Sequence, residues 1–279
     1  MIGIFDSGIG GLTVARAVRK KIPNADILYF GDVARMPYGN KSAETVTEYC
    51  REIVRYLVRR GAEMIIIACN TASAVAAEKL RKEFSVPILD VIQPAVLMAR
   101  GASHVARSNI AVLGTRGTIG SGAYQKALLK RGGKVKVFPL ACPIFVPLVE
   151  EGFVGTREGR QIVKYTLAPL AGKKINEVIL GCTHYPLLKK EIVAVFPKAR
   201  LIDSSAVAEK AARLLRRDLF PTAVSPRFRP RTRPSRPENG RTEIVVTDLT
   251  PHFNKLAKKI IGKNVVIKKI IIDEITRKK

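Results

Sequence analysis

The sequence predicts an α/β protein of two pseudo-symmetric domains with mostly parallel sheets and an active site in the interdomain cleft. Three observations carry this. Short apolar runs alternate with helical patterns along nearly the whole chain, as βαβ units on parallel sheets do. A strand followed by a glycine-rich turn occurs twice, as Ile2–Phe5 with Asp6–Gly11 and as Asn109–Leu113 with Gly114–Gly122. Two further segments echo each other: Met64–Ser73 reads MIIIACNTAS and Glu177–Pro186 reads EVILGCTHYP.

Taken in order, Ile2–Phe5 is a first strand, and after its turn a helix runs to about Lys20. Ile27–Phe30 is a second strand leading into the loop GDVARMPYGN. Ser42 can cap a helix that continues to Arg60 and stops at Gly61. The apolar stripe of that helix (Val46, Tyr49, Cys50, Ile53, Leu57) has helical spacing and gives Cys50 a structural explanation. Met64–Ala68 then delivers Cys69, and an alanine-rich helix follows from about Thr71 to Glu83. In the second half, Asn109–Leu113 and Val135–Phe138 are strands, and Cys142 follows between Pro139 and Pro143. A helix spans roughly Thr156–Leu170, the strand Glu177–Leu180 delivers Cys182, and Leu187–Phe196 is helical. Leu201–Ile202 is a short strand ending at Asp203-Ser204-Ser205. Glu243–Thr247, a helix near His252–Ile261 and a strand near Val265–Ile272 complete the chain. The domain joint falls near Val91–Pro94. The C-terminal elements are too few to fold alone and return to the first domain. Residues 1–93 plus 206–279 are therefore expected to form one discontinuous domain, and residues 94–205 the other.

Composition fits this plan: 279 residues, 47% hydrophobic and 26% charged, are enough to bury a sizeable core. No apolar run approaches the roughly 18 residues of a membrane span, and Asp6 interrupts the N-terminus before a signal-peptide core could form. A cytoplasmic location without membrane partners is expected. The four cysteines are widely spaced with no CxxC pair, against a disulfide framework or a zinc knuckle. The net charge of +26 is uneven: Ser225–Lys279 holds 15 Lys/Arg against 5 Asp/Glu. Within it, Pro226–Arg241 interleaves six arginines with prolines and reads, over residues 225–241, as a disordered basic loop. Such a loop can contact nucleic acid by counterion release, but a solvated insertion is the favoured reading, since charge argues about association and not fold.

The chemistry lies in the two echoing segments. In open α/β sheets a site forms where strand carboxyl ends face a crevice, so Cys69 and Cys182 both point to one cleft. Each stands just before a helix, whose N-terminus is expected to lower a thiol pKa. A lone strand-end cysteine is more often a small buried hydrophobe. Two in matched polar contexts point to function instead. Thiols facing each other across a pocket can remove a proton from one side of a carbon and return it from the other, without a cofactor. Asn70-Thr71 and Thr183-His184, with the backbone amides of a helix start, can grip a carboxylate. Asp6-Ser7 leaves the first strand at the same crevice edge. Asp6 could accept an ammonium group, orient Cys69 or cap the glycine turn. His184 reads as a general base, a thiol partner or a polar strand-end residue.

Rival motifs fail. The glycines at 8, 10 and 11 lack the third glycine of a dinucleotide fingerprint, since Thr13 stands there, and Gly114–Ser121 lacks the Gly-Lys-Ser/Thr ending of a phosphate loop. His104, His184 and His252 show no metal-binding spacing, so neither metal nor cofactor is expected. A protease-type pair of Cys182 with His184 is disfavoured, because i, i+2 side chains of an extended chain point to opposite faces.

The motifs IGIFDSGIGGLTV (residues 2–14), MPYGN (36–40), ACNTAS (68–73), GTRGTIGSGAY (114–124), CPIFVPLVEEG (142–152) and GCTHYP (181–186) resemble those of glutamate racemases. They stand in the same order and cover nearly the whole chain. His184 supports glutamate, since the related aspartate racemases carry Glu at that position. The resemblance implies a cofactor-independent enzyme of the aspartate/glutamate racemase superfamily, usually a homodimer, supplying D-glutamate for peptidoglycan. It implies that Cys69 takes the α-proton from D-glutamate and Cys182 takes it from L-glutamate. Asp6, Ser7, Tyr38, Gly39, Asn70, Thr71, Thr183 and His184 would contact substrate, with Thr118 joining the carboxylate grip. Asp6 would assist Cys69, while His184, braced by Glu150, would assist Cys182. Tyr38 and Gly39 come from the resemblance alone, since PYGN otherwise reads as an ordinary turn. The Arg/Pro-rich insertion is a departure from the family pattern. Two other readings stay open: a racemase of another acidic amino acid such as aspartate, and a non-catalytic nucleic-acid-binding protein on the same fold.

Overall fold

The computed structural model describes residues 1–101, 108–130, 135–219, 240–262 and 266–276. His104, Val265 and residues 225–239 of the basic stretch lie outside the described residues. Ten strands are found among the described residues: β1 (Ile2–Asp6), β2 (Ile27–Gly31), β3 (Met64–Ile67), β4 (Ile88–Asp90), β5 (Ser108–Gly114), β6 (Val135–Ala141), β7 (Glu177–Gly181), β8 (Arg200–Ile202), β9 (Thr242–Val246) and β10 (Ile267–Lys269). All pair in parallel. They form two sheets, ordered β10-β9-β2-β1-β3-β4 and β6-β5-β7-β8. The second order repeats the β2-β1-β3-β4 part of the first, strand for strand, so β7 stands where β3 does. Chain that follows the second sheet returns to the first, where Thr242 of β9 lies opposite Ile27 of β2.

Every residue of β1, β2, β3 and β7 is buried. Helices cover both faces, and a strand covered on both faces does not need to alternate in polarity. Side chains still alternate in direction. Ile2, Ile4, Ile27, Tyr29 and Ile66 pack on one face with Val14 and Val18 of the helix Leu12–Lys21. Phe5, Leu28, Phe30, Ile65 and Ile67 pack on the other with Ile53 and Leu57 of the helix Ala43–Arg59 and Leu80 of the helix Asn70–Glu83. Burying each such side chain contributes about 1.5–3 kcal/mol. Ser42 Oγ accepts from the Thr45 amide at 3.2 Å, and Gly61 ends the helical run at φ +89°, a conformation glycine adopts without strain. Cys50 is fully buried in the core.

Several boundaries differ from the sequence reading. After β4, Asp90 Oδ1 accepts from the amides of Ile92 and Gln93 and opens an unforeseen helix, Ile92–Gly101. The helix Val207–Leu219 carries the chain away from β8. β6 continues to Ala141, because its ladder with β5 extends to Gly114 opposite Ala141. The final strand is only Ile267–Lys269; the helix Ile272–Thr276 follows, with Asp273 and Glu274 in the first turn, where acidic groups complement the helix dipole.

Candidate active site

Cys69 follows β3 and occupies the N-cap position of the helix Asn70–Glu83. Cys182 follows β7, the strand equivalent to β3. Both border one cleft, together with Ser7, Met36, Pro37, Tyr38, Gly39, Asn70, Thr71, Thr115, Val146, Gly181, Thr183 and His184. The two cysteine residues are 6% and 7% exposed. Their settings are not identical, since no α-helix starts at Cys182. Instead of a helix over Leu187–Phe196, a 3-10 turn at Tyr185–Leu188 precedes the helix Lys189–Val195. Pro186 sits at the start of that turn, where its missing N–H costs no hydrogen bond.

The Cys69 thiol donates to Ser7 Oγ across 3.8 Å. The expectation that the helix start lowers its pKa does not hold. Burial, and next the charge of Asp6, push the thiol up to about 12, against the opposing pull of the Ala72 amide and Ser7. The charge of Cys182 adds to the rise, so the two sulfurs sense each other. Asp6 lies fully buried behind the cleft lining. Its Oδ2 accepts from the amides of Gly8 and Gly11, both at 3.1 Å, and its Oδ1 accepts from Thr183 Oγ1 at 3.3 Å. The carboxylate therefore caps the glycine turn and ties it to the Cys182 loop. Burial raises its pKa, opposed by the charge of His184 and by these hydrogen bonds.

On the other side, Cys182 Sγ lies 3.9 Å from His184 Nδ1, and His184 Nε2 lies 2.9 Å from Glu150 Oε1. Cys182 and His184 do not diverge as an extended i, i+2 pair would, because the chain is not extended here. His184 has φ −80°, ψ −30°, and the Tyr185 amide donates to the Cys182 carbonyl at 3.2 Å. Burial pulls the His184 pKa down, but hydrogen bonds to Cys182 and Glu150, with the charges of both, outweigh it and lift the group to about 10. An imidazolium thus faces one thiol and a carboxylate faces the other.

Polar groups complete the rim. Thr71 Oγ1 lies 2.9 Å from Thr115 Oγ1 and 3.2 Å from Thr118 Oγ1, a hydroxyl cluster that joins the two halves. Tyr38 borders the cleft, but its hydroxyl donates to the buried Asp32, which also accepts from Arg35 Nε at 2.7 Å and Thr247 Oγ1 at 3.1 Å. Gly39 is needed for close approach: a Cβ there would stand 2.6 Å from Thr115 Cβ. Of the residues singled out in the sequence, Ser7, Tyr38, Gly39, Cys69, Asn70, Thr71, Cys182, Thr183 and His184 line the cleft. Asp6, Thr118 and Glu150 sit behind it, each bonded to a lining residue. Met36, Pro37, Thr115, Val146, Gly181 and the Asp32 brace were missed. Met36, Pro37 and Gly181 stand beside residues that were singled out, and Thr115 stands in the glycine-rich turn with Thr118; Val146 and the Asp32 brace depend on tertiary packing. Among the described residues, no group of three or more His, Cys, Asp or Glu could hold a metal ion.

A family model described as Asp/Glu/Hydantoin racemase matches residues 12–212. The chain is 41% identical over 274 residues to the glutamate racemase of Persephonella marina, covering 98% of each, and 42% identical over 264 residues to that of Aquifex aeolicus, covering 95% of each. The structure of glutamate racemase from Francisella tularensis in complex with D-glutamate aligns with a TM-score of 0.84 at 32% identity, over 97% of this chain and 96% of that one. The Escherichia coli glutamate racemase in complex with L-glutamate and the activator UDP-MurNAc-ala aligns with a TM-score of 0.75 at 27% identity, over 97% of each. An aspartate racemase from Picrophilus torridus aligns with a TM-score of 0.51 at 19% identity, over 76% of this chain and 94% of that one, a likeness of fold alone. Neither the aspartate reading nor the nucleic-acid reading gains support from these relatives. With paired thiols at equivalent strand ends and a match along most of its length, the chain belongs to the Asp/Glu/hydantoin racemase family, among the glutamate racemases.

Proposed function

We propose that this protein interconverts L- and D-glutamate by proton transfer between Cys182 and Cys69. The observation that carries the reading is the placement of the two thiols at the ends of β3 and β7, on one cleft. A carbon held between them has a sulfur on each face. An α-proton beside a carboxylate is very weakly acidic, so the developing carbanion needs pre-organised donors around it. The hydroxyls of Ser7 and Thr71 and the amide of Asn70 are suited to that role, while the Thr183 hydroxyl is given to Asp6.

With L-glutamate bound, Cys182 acts as a thiolate beside the His184 imidazolium and takes the α-proton. The electron pair of the C–H bond stays on Cα, and the Cys69 thiol delivers its proton to the opposite face. D-glutamate then leaves a Cys69 thiolate and a Cys182 thiol, and the reverse direction uses the same steps. The high pKa of Cys69 supports its role as proton donor, and the nearby Asp6 charge makes its thiolate a strong base for D-glutamate. Relatives captured with D-glutamate and with L-glutamate support the substrate.

Within this reading the protein is a cytoplasmic homodimer that supplies D-glutamate for peptidoglycan synthesis, as the family resemblance implies. Among the described residues, no helix is long and apolar enough to cross a membrane. Residues 1–93 with 206–279, and residues 94–205, are its two proposed domains. The test is racemisation by Cys69→Ser and Cys182→Ser proteins, each expected to lose about a thousandfold in rate. Rates near wild type in both would overturn the reading.

A further inference from the structure

Asn70 is held at both ends of its side-chain amide by residues 54 and 134 positions further along the chain. Tyr124, on the helix Ala123–Lys130, donates its hydroxyl to Asn70 Oδ1 at 2.6 Å. Asn70 Nδ2 donates to Ser204 Oγ at 2.9 Å. All three residues are buried, Tyr124 completely. Asn70 borders the cleft, whereas Tyr124 and Ser204 do not. A carboxamide has two N–H donors. With Oδ1 engaged by the phenol and one N–H given to Ser204, the second N–H is what remains for a ligand.

We propose that Tyr124 and Ser204 are positioning residues for the racemase reaction. They fix the Asn70 amide so that an N–H, and not its carbonyl oxygen, is presented to a glutamate carboxylate. This rests on the glutamate-racemase reading, through the role of Asn70 as a substrate donor. A phenolic hydroxyl donates better than it accepts, because its lone pair is delocalised into the ring. It therefore selects the oxygen end of the amide. Turned by 180°, the same amide would set an oxygen against a carboxylate. Removing the phenolic oxygen leaves the buried Oδ1 without that partner and lets the amide turn.

The experiment is steady-state kinetics on Tyr124→Phe, Asn70→Ala and the double variant, with thermal melting to show that each is folded. Tyr124→Phe is expected to lower kcat/KM about tenfold for both enantiomers, the scale of one lost hydrogen bond. The double variant is expected to be no worse than Asn70→Ala alone, because the phenol acts only through the amide. Ser204→Ala should show the same non-additivity, and it decides the matter if Tyr124→Phe does not fold. Multiplying penalties, or a folded Tyr124→Phe enzyme with wild-type kcat/KM, would overturn the positioning role and leave the racemase reading standing. Wild-type kcat/KM in Asn70→Ala, with Cys69→Ser inactive, would overturn it through the role of Asn70 while the two-thiol chemistry stands. An active Cys69→Ser enzyme would instead bring down the racemase reading itself.

Discussion

Cys69 and Cys182 place the same chemical group in opposite electrostatic settings, one beside a buried carboxylate and one beside an imidazolium. On the proposed mechanism, Cys69 is the proton donor and Cys182 the acceptor in the direction from L- to D-glutamate. The two enantiomers have equal free energy in water, so kcat/KM must be the same in both directions. Cys69→Ser and Cys182→Ser are therefore each expected to lower it equally for L- and D-glutamate, although they act on opposite faces; circular dichroism assays run from each side check this. His184 gives a pH prediction. Its pKa rises from the ordinary 6.5 to about 10 in the folded protein, so its protonated form contributes stability that is fully present below pH 6.5 and is lost as pH rises through about 10. Activity should fall over the same upper range, and Glu150→Gln, which removes one of the groups raising that pKa, should move the fall to lower pH. An unchanged alkaline limb in that variant would contradict the role given to Glu150. The thiols were legible in the sequence because their flanking residues echo each other. The direction of the Cys69 pKa shift was not, since burial and the approach of Asp6 are tertiary facts.

At the level of elements, the repeated strand order explains why the two echoing segments deliver equivalent thiols. The alternation of strands and helices was legible because both periods are written in the apolar pattern, and the return of β9 to the first sheet followed from the shortage of C-terminal elements. The helix at Ile92–Gly101 and the 3-10 turn after His184 were not legible. The first depends on a side-chain cap by Asp90, and the second on a proline-led turn that breaks the simple strand-to-helix template. Where the two halves meet, Gly39 packs against Thr115 with no room for a side chain. Gly39→Ala is expected to cost about 1–3 kcal/mol of stability, as overpacking does, and to lower kcat/KM by loosening the Thr71–Thr115–Thr118 cluster. Denaturant unfolding with parallel kinetics checks it; a neutral effect on both would show that the joint is not tight.

For the whole molecule, the two thiols of the cleft come from strands of different sheets while the charge excess concentrates toward the C-terminus. The net charge of +26 concerns association and not the chemistry of the cleft. Replacing residues 221–239 with a Gly/Ser linker of equal length should leave kcat/KM within about twofold, since the proposed site residues all lie elsewhere in the sequence. A large loss, measured in the same assay, would make the basic stretch part of the working enzyme. Two-sided proton transfer is best checked with L-glutamate incubated with the protein in D₂O, followed by NMR with chiral separation at early conversion. Two opposed thiols predict D-glutamate carrying deuterium at the α-carbon while the remaining L-glutamate keeps its proton. Deuterium appearing in L-glutamate without D-glutamate, or D-glutamate that retains the original proton, would contradict the account.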